Sequence, residues 1–134
     1  MVRKEDEQLT TVLASLINQI PQTLLGKERQ EFIGNLVEQL PDQTKLFLRD
    51  ALNTYLKKMR ILEASDIELG GPGCNGHVWY RVYGEKKPDL SSRLWSFDET
   101  DILLQSILMK SQKEYLYRNR YVDFSYRMRL DDEW

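Results

Sequence analysis

Residues 64–84 read ASDIELGGPGCNGHVWYRVYG, and this stretch decides the fold. Ile67 and Leu69 alternate with Asp66 and Glu68, and further on Val78, Tyr80 and Val82 alternate with His77, Trp79, Arg81 and Tyr83. Alternation with a period of two sends one set of side chains to a buried face and the other to solvent. Between the two runs, Gly70, Gly71, Pro72, Gly73 and the Asn75-Gly76 pair supply turn chemistry. The stretch therefore predicts a β-hairpin, and it marks where a helical front half gives way to a sheet.

Towards the N-terminus, apolar residues recur at three-and-four spacing. Leu9, Val12, Leu13, Leu16, Ile17 and Ile20 form one stripe, closed by Pro21. Phe32, Ile33, Leu36, Val37 and Leu40 form a second, with Glu28 and Glu31 at its start and Pro41 after it. Asp42 is placed to cap a third, longer helix carrying Leu48, Leu52, Tyr55, Leu56 and Met59, with Lys57, Lys58 and Arg60 near its end. These stripes read first as core packing between helices; the first two helices are also a candidate partner-binding appendage.

Beyond Gly84, Lys86, Lys87 and Pro88 predict a turn followed by an irregular or edge strand. Ser96 or Asp98 can cap the next helix, with Glu99 or Asp101 as the reciprocal acid, and its stripe is Leu103, Leu104, Ile107 and Leu108. The pattern Ser111-Gln112-Lys113-Glu114 opens a short helix that Asn119 can end. Alternation returns over Val122 to Leu130, predicting another strand. The expected fold class is α+β: a small mixed or antiparallel sheet packed by helices, with an α-helical N-terminal extension over residues 1–41 and the α+β unit over 42–134.

Composition narrows the function. The chain has 134 residues, 41% hydrophobic and 30% charged, which suits one globular domain. Residues 1–60 hold nine Lys or Arg against eight Asp or Glu, and the remainder ten against thirteen, so no basic field recommends nucleic acid. The exception is local: Lys110, Lys113, Arg118, Arg120, Arg127 and Arg129 interleave with Tyr115, Tyr117, Tyr121, Phe124 and Tyr126, a composition that can stack on single strands. No apolar run approaches the roughly 20 residues of a membrane span. The start, MVRKEDEQL, lacks a signal-peptide core, so the expected location is the cytoplasm. One cysteine, Cys74, excludes an internal disulfide, and one histidine, His77, beside it does not make a zinc set.

Catalytic readings are weak. Gly71, Gly73 and Gly76 spell G-x-G-x-x-G, but a dinucleotide site needs that motif to open a helix, and here a strand follows. Cys74 is a candidate exposed thiol with His77 as its only nearby base and no third group to orient it. No G-x-x-x-x-G-K-[ST] phosphate loop occurs. The expectation is no catalysis and no cofactor in this chain.

Three motifs in order, Ala64-Ser65-Asp66-Ile67, then Arg81 with Gly84, then Asp123-Phe124-Ser125-Tyr126, separated by a helix pair, resemble the N-terminal domain of PilT-type ATPases. Those motors drive type IV pilus retraction (twitching motility) and are related to type II secretion ATPases. The resemblance covers about residues 45–130 and implies a PAS-like sheet. It also implies an accessory domain of a hexameric motor, with ATP and Mg²⁺ held by an ATPase domain of a longer parent. Its partners would be neighbouring subunits or that ATPase domain. The signature residues Ser65, Asp66, Arg81, Gly84, Asp123, Phe124 and Ser125 become candidate subunit-interface positions. Departures are Glu68, where the family often has histidine, the glycine-rich loop, and the two helices before Gln43. The chain is expected to be a fragment of such a motor; the alternative is a free-standing, non-catalytic regulator or scaffold that binds one.

Overall fold

A computed structural model describes residues 4–70 and 72–119. The order is α1 (Lys4–Ile17), α2 (Gly26–Glu38), α3 (Asp42–Ile61), β1 (Ala64–Glu68), a 3₁₀ turn (Pro72–Cys74), β2 (Trp79–Val82), β3 (Glu85–Pro88), α4 (Phe97–Gln105) and α5 (Lys110–Asn119). The three strands form one antiparallel sheet in the order β1-β2-β3. The protein is thus mixed α+β. The strand expected over Val122 to Leu130, with Asp123, Phe124 and Ser125, lies outside the described residues.

Local chemistry explains the helix ends. The last turn of α1 tightens through i to i+3 bonds, Gln19 N to Leu16 O and Ile20 N to Ile17 O, before Pro21. At α3 the structure corrects one expectation. Pro41, extended at φ −58° and ψ 149°, stands at the cap with no side-chain bond, and Asp42 is the first helical residue. Asp42 therefore acts through the helix dipole rather than as a cap. At α4 the reciprocal capping box forms: Ser96 Oγ accepts from Glu99 N (3.2 Å) and Ser96 N donates to Glu99 Oε1 (2.9 Å). The box read at Ser111 is displaced. Helix α5 begins at Lys110, and Gln112 Oε1 accepts from Met109 N at 2.8 Å, so the reaching residue is Gln112.

One core runs through the molecule. Leu9, Leu13, Leu16 and Ile20, with Ile33 and Val37 from α2, share a buried cluster with Leu48, Val78, Tyr80, Trp95, Ile102 and Leu103. The first two stripes are therefore core packing, and the cluster spans the boundary drawn at 41/42. Burying each large aliphatic side chain contributes roughly 2 kcal/mol. Arg29 fastens the α1–α2 connection to α4: its guanidinium grips Asp98 with two bonds (2.8 and 2.6 Å) and donates to Leu24 O (3.1 Å). Asp98 raises the Arg29 pKa, chiefly through that hydrogen bond. On α5, Tyr117 Oη donates to Gln105 Oε1 (2.6 Å), and Gln105 Nε2 donates to Gln30 O of α2 (2.9 Å). Gly34 makes this junction fit, because a Cβ there would collide with Tyr117 Oη and Gln105 Oε1.

Candidate interaction site on the sheet

The site is assembled by one bulge and one tight turn. Ala64 pairs with Val82 and Asp66 with Arg81, so β1 advances two residues while β2 advances one. Ser65 is the extra residue of a β-bulge. The bulge lets both Ala64 and Ile67 pack against the core cluster, alongside Val82 and Tyr80. Asp66 and Glu68 are left exposed. At the other end, Tyr83 (φ 50°) and Gly84 (φ 79°) form the two-residue connection between β2 and β3. Both angles are positive, as a type I′ hairpin turn requires. Tyrosine is an uncommon choice there, and Tyr83 stands 85% exposed.

These devices bring four of the sequence-selected residues together. Arg81 lies 3.7 Å (Nε) from Asp66 Oδ2 and donates from Nη1 to Gly84 O at 3.1 Å. Ser65 Oγ donates to Asp66 Oδ2 at 2.8 Å. Five further residues, Lys86, Glu68, Trp79, Tyr83 and Glu63, adjoin them. Lys86 of β3 reaches Glu68 of β1 (2.6 Å) across the sheet, and its ammonium sits 5.3 Å from the Trp79 ring centre. Tyr83 Oη donates to Glu63 Oε2 at 2.7 Å, which raises the Tyr83 pKa. The register makes these neighbours, and register could not be read through a ten-residue connection. The usable signal was the Tyr83-Gly84 pair set between two short runs.

The other sequence-selected features are built into structure. Cys74 was a candidate exposed thiol but is buried. Its carbonyl accepts from His77 N (3.0 Å) and Trp79 Nε1 (2.9 Å), which folds the loop inward. His77 meets Trp79 edge-on at 6.4 Å. The glycine motif leads into β2, not a helix. Of the basic-aromatic set, Tyr117 is half-buried in its bond to Gln105, and burial, then Glu31, Asp101 and Glu38, pushes its pKa up to about 12. Lys113 is likewise half-buried, and burial lowers its pKa. An open groove of about 550 Å³ separates α1 from α3, with Val12 and Phe47 among Glu7, Gln8, Gln43 and Thr44; it contains none of the selected residues.

Among the described residues no cluster of three or more His, Cys, Asp or Glu is arranged to hold a metal ion, and no helix is long and apolar enough to cross a membrane. Chemically, the sheet face offers two solvated ion pairs, Asp66 with Arg81 and Glu68 with Lys86, the latter beside the Trp79 ring. Comparison with protein-family models, with curated proteins and with solved structures found no match.

Proposed function

We propose that this chain is a non-catalytic accessory domain of a hexameric ATPase of the pilus-retraction and type II secretion kind, acting in the cytoplasm. Its sheet face contacts a neighbouring subunit or ATPase domain and passes on nucleotide-driven rigid-body motion. A PAS-like sheet, with ATP and Mg²⁺ held by the ATPase domain, belongs to the same proposal. A free-standing regulator of such a motor would use the same face.

The observation that supports this reading is the meeting of Ser65 and Asp66 with Arg81 and Gly84, from two separate motifs, on one exposed patch. Exposed ion pairs contribute only about 0–1 kcal/mol to folding, so these charges can be exchanged for a partner's at little cost. The test has two parts. Reading the gene past the Trp134 codon should reveal a G-x-x-x-x-G-K-[ST] loop in frame, or the purified chain should co-sediment with a hexameric motor of this kind. Either interaction should weaken about tenfold with Asp66→Lys or Arg81→Glu. A chain with neither property is not part of such a motor.

A further inference from the structure

Residues 89–96, between β3 and α4, contain no helix or strand, yet they are strapped to two elements. Asp89 N donates to Val78 O (2.7 Å) and Trp95 N to Gly76 O (2.8 Å), which fixes the strap to the hairpin loop. From α3, Tyr55 Oη meets Ser92 Oγ (2.7 Å) and accepts from Trp95 Nε1 (3.0 Å). Lys58 Nζ reaches Asp89 Oδ2 (2.8 Å) and Ser91 Oγ (3.0 Å).

The centre of the strap is a balance of one negative and one positive charge. The Asp89 carboxylate, only 7% exposed, accepts from Lys58 Nζ, from Ser91 N (3.0 Å) and from Ser91 Oγ (2.6 Å). Burial alone would raise its pKa, but the bonds from Lys58 and Ser91 hold it below the usual carboxylate value. The nearby Arg93 is engaged elsewhere, 2.7 Å from Glu99 Oε2 and over the Trp95 ring at 4.4 Å. Among the described residues, Lys58 is the cation that bonds the triad. Ser91 itself is exposed on a turn, as an accessible loop tip should be, with Lys86 and Lys87 upstream.

We infer that Asp89, Lys58 and Ser91 form a charge-balanced latch and that Ser91 is a phosphorylation point that opens it. In the step, Ser91 Oγ attacks the γ-phosphorus of a nucleoside triphosphate held by a protein kinase. The new O–P bond forms as the bond to the diphosphate leaving group breaks, and the hydroxyl proton passes to the kinase's base. Ser91 Oγ then has no hydrogen to donate. A phosphate bearing roughly −1.5 to −2 charge lies against a buried carboxylate, and both compete for Lys58. Repulsion releases the strap and uncovers Trp95, which is 5% exposed when the latch is closed. This inference is independent of the proposed motor.

The experiment is hydrogen exchange on the full chain with phosphoserine encoded at position 91. The Asp89 and Trp95 amides should exchange about tenfold faster or more, while Ile33 and Leu103 keep their protection. Ser91→Glu should give a smaller change in the same direction. Adding Asp89→Asn to the phosphoserine protein should restore strap protection to within about threefold, because the phosphate then has Lys58 to itself. Unchanged protection in both the phosphoserine and Ser91→Glu proteins overturns the latch. Loss spread evenly through α2 and α4 overturns it as a local device, and failure of Asp89→Asn to restore protection overturns its charge basis.

Discussion

The α2–α4–α5 junction and the outer face of the sheet use similar polar groups to opposite ends. At the junction, Gln105, 1% exposed, bonds the buried Gln30 carbonyl on one side and the half-buried Tyr117 hydroxyl on the other. On the sheet, Asp66 with Arg81 and Glu68 with Lys86 remain solvated. A polar group out of water must be matched or it costs about 1–3 kcal/mol, whereas a solvated ion pair can break almost freely. The first region spends its Gln105 and Tyr117 groups on holding the fold. The second contributes little to the fold and leaves its charges available.

Breaking the interior should show the largest effects. Leu103→Ala, at a fully buried site, should cost about 3 kcal/mol in urea unfolding. Gly34→Ala should cost about 1–2 kcal/mol despite the better helix propensity of alanine, because its Cβ drives into Tyr117 Oη and Gln105 Oε1. Lys58→Met should cost about 1–2 kcal/mol by leaving the Asp89 carboxylate without its cation. The same carboxylate gives a pH signature. Its folded pKa lies below the ordinary 3.8, so the stability it adds is complete above that value and is lost as pH falls through the lower folded one. Asp89→Asn should flatten that part of an acid titration of stability. On the sheet side, Tyr83→Asn should raise stability by about 0.5–1 kcal/mol, since asparagine tolerates the left-handed angle. Arg81→Ala should change stability by less than about 0.5 kcal/mol; a loss above 1 kcal/mol would end the contrast between the regions.

Much of the fold could be read from period alone. The stripes at Leu13, Ile33, Leu48 and Leu103 are the core, and the alternation around Ile67 and Tyr80 is the hairpin, because burial imposes a repeat on the sequence. Ser96 and Glu99 announced a helix start through a local rule. What stayed hidden depended on distance in space. Glu68 and Lys86 meet only once β1 and β3 flank β2 in a fixed register, and nothing local in Asp89, Ser91 or Lys58 foretold their meeting. Cys74 misled because glycine-rich neighbours suggest exposure, whereas carbonyl bonds to His77 and Trp79 turn that residue inward. Of the candidate site, Ser65, Asp66, Arg81 and Gly84 were legible as residues but not as a patch.

The extra residue at Ser65 also acts as a gearbox between two periodicities. Helix α3 turns its side chains by about 100° per residue, whereas a strand turns them by about 180°, and only Leu62 and Glu63 separate α3 from β1. Without a slip in β1, one phase would dictate the other, and Ala64 and Ile67 could not both face inward. Deleting Ser65 would leave Ala64, Asp66 and Ile67 in plain alternation opposite Val82, Arg81 and Tyr80, so the residue is an insertion that the strand absorbs without changing its inner face. The bulge thus lets two residues three positions apart share the inner face of one strand while Asp66 stays outside, opposite Arg81.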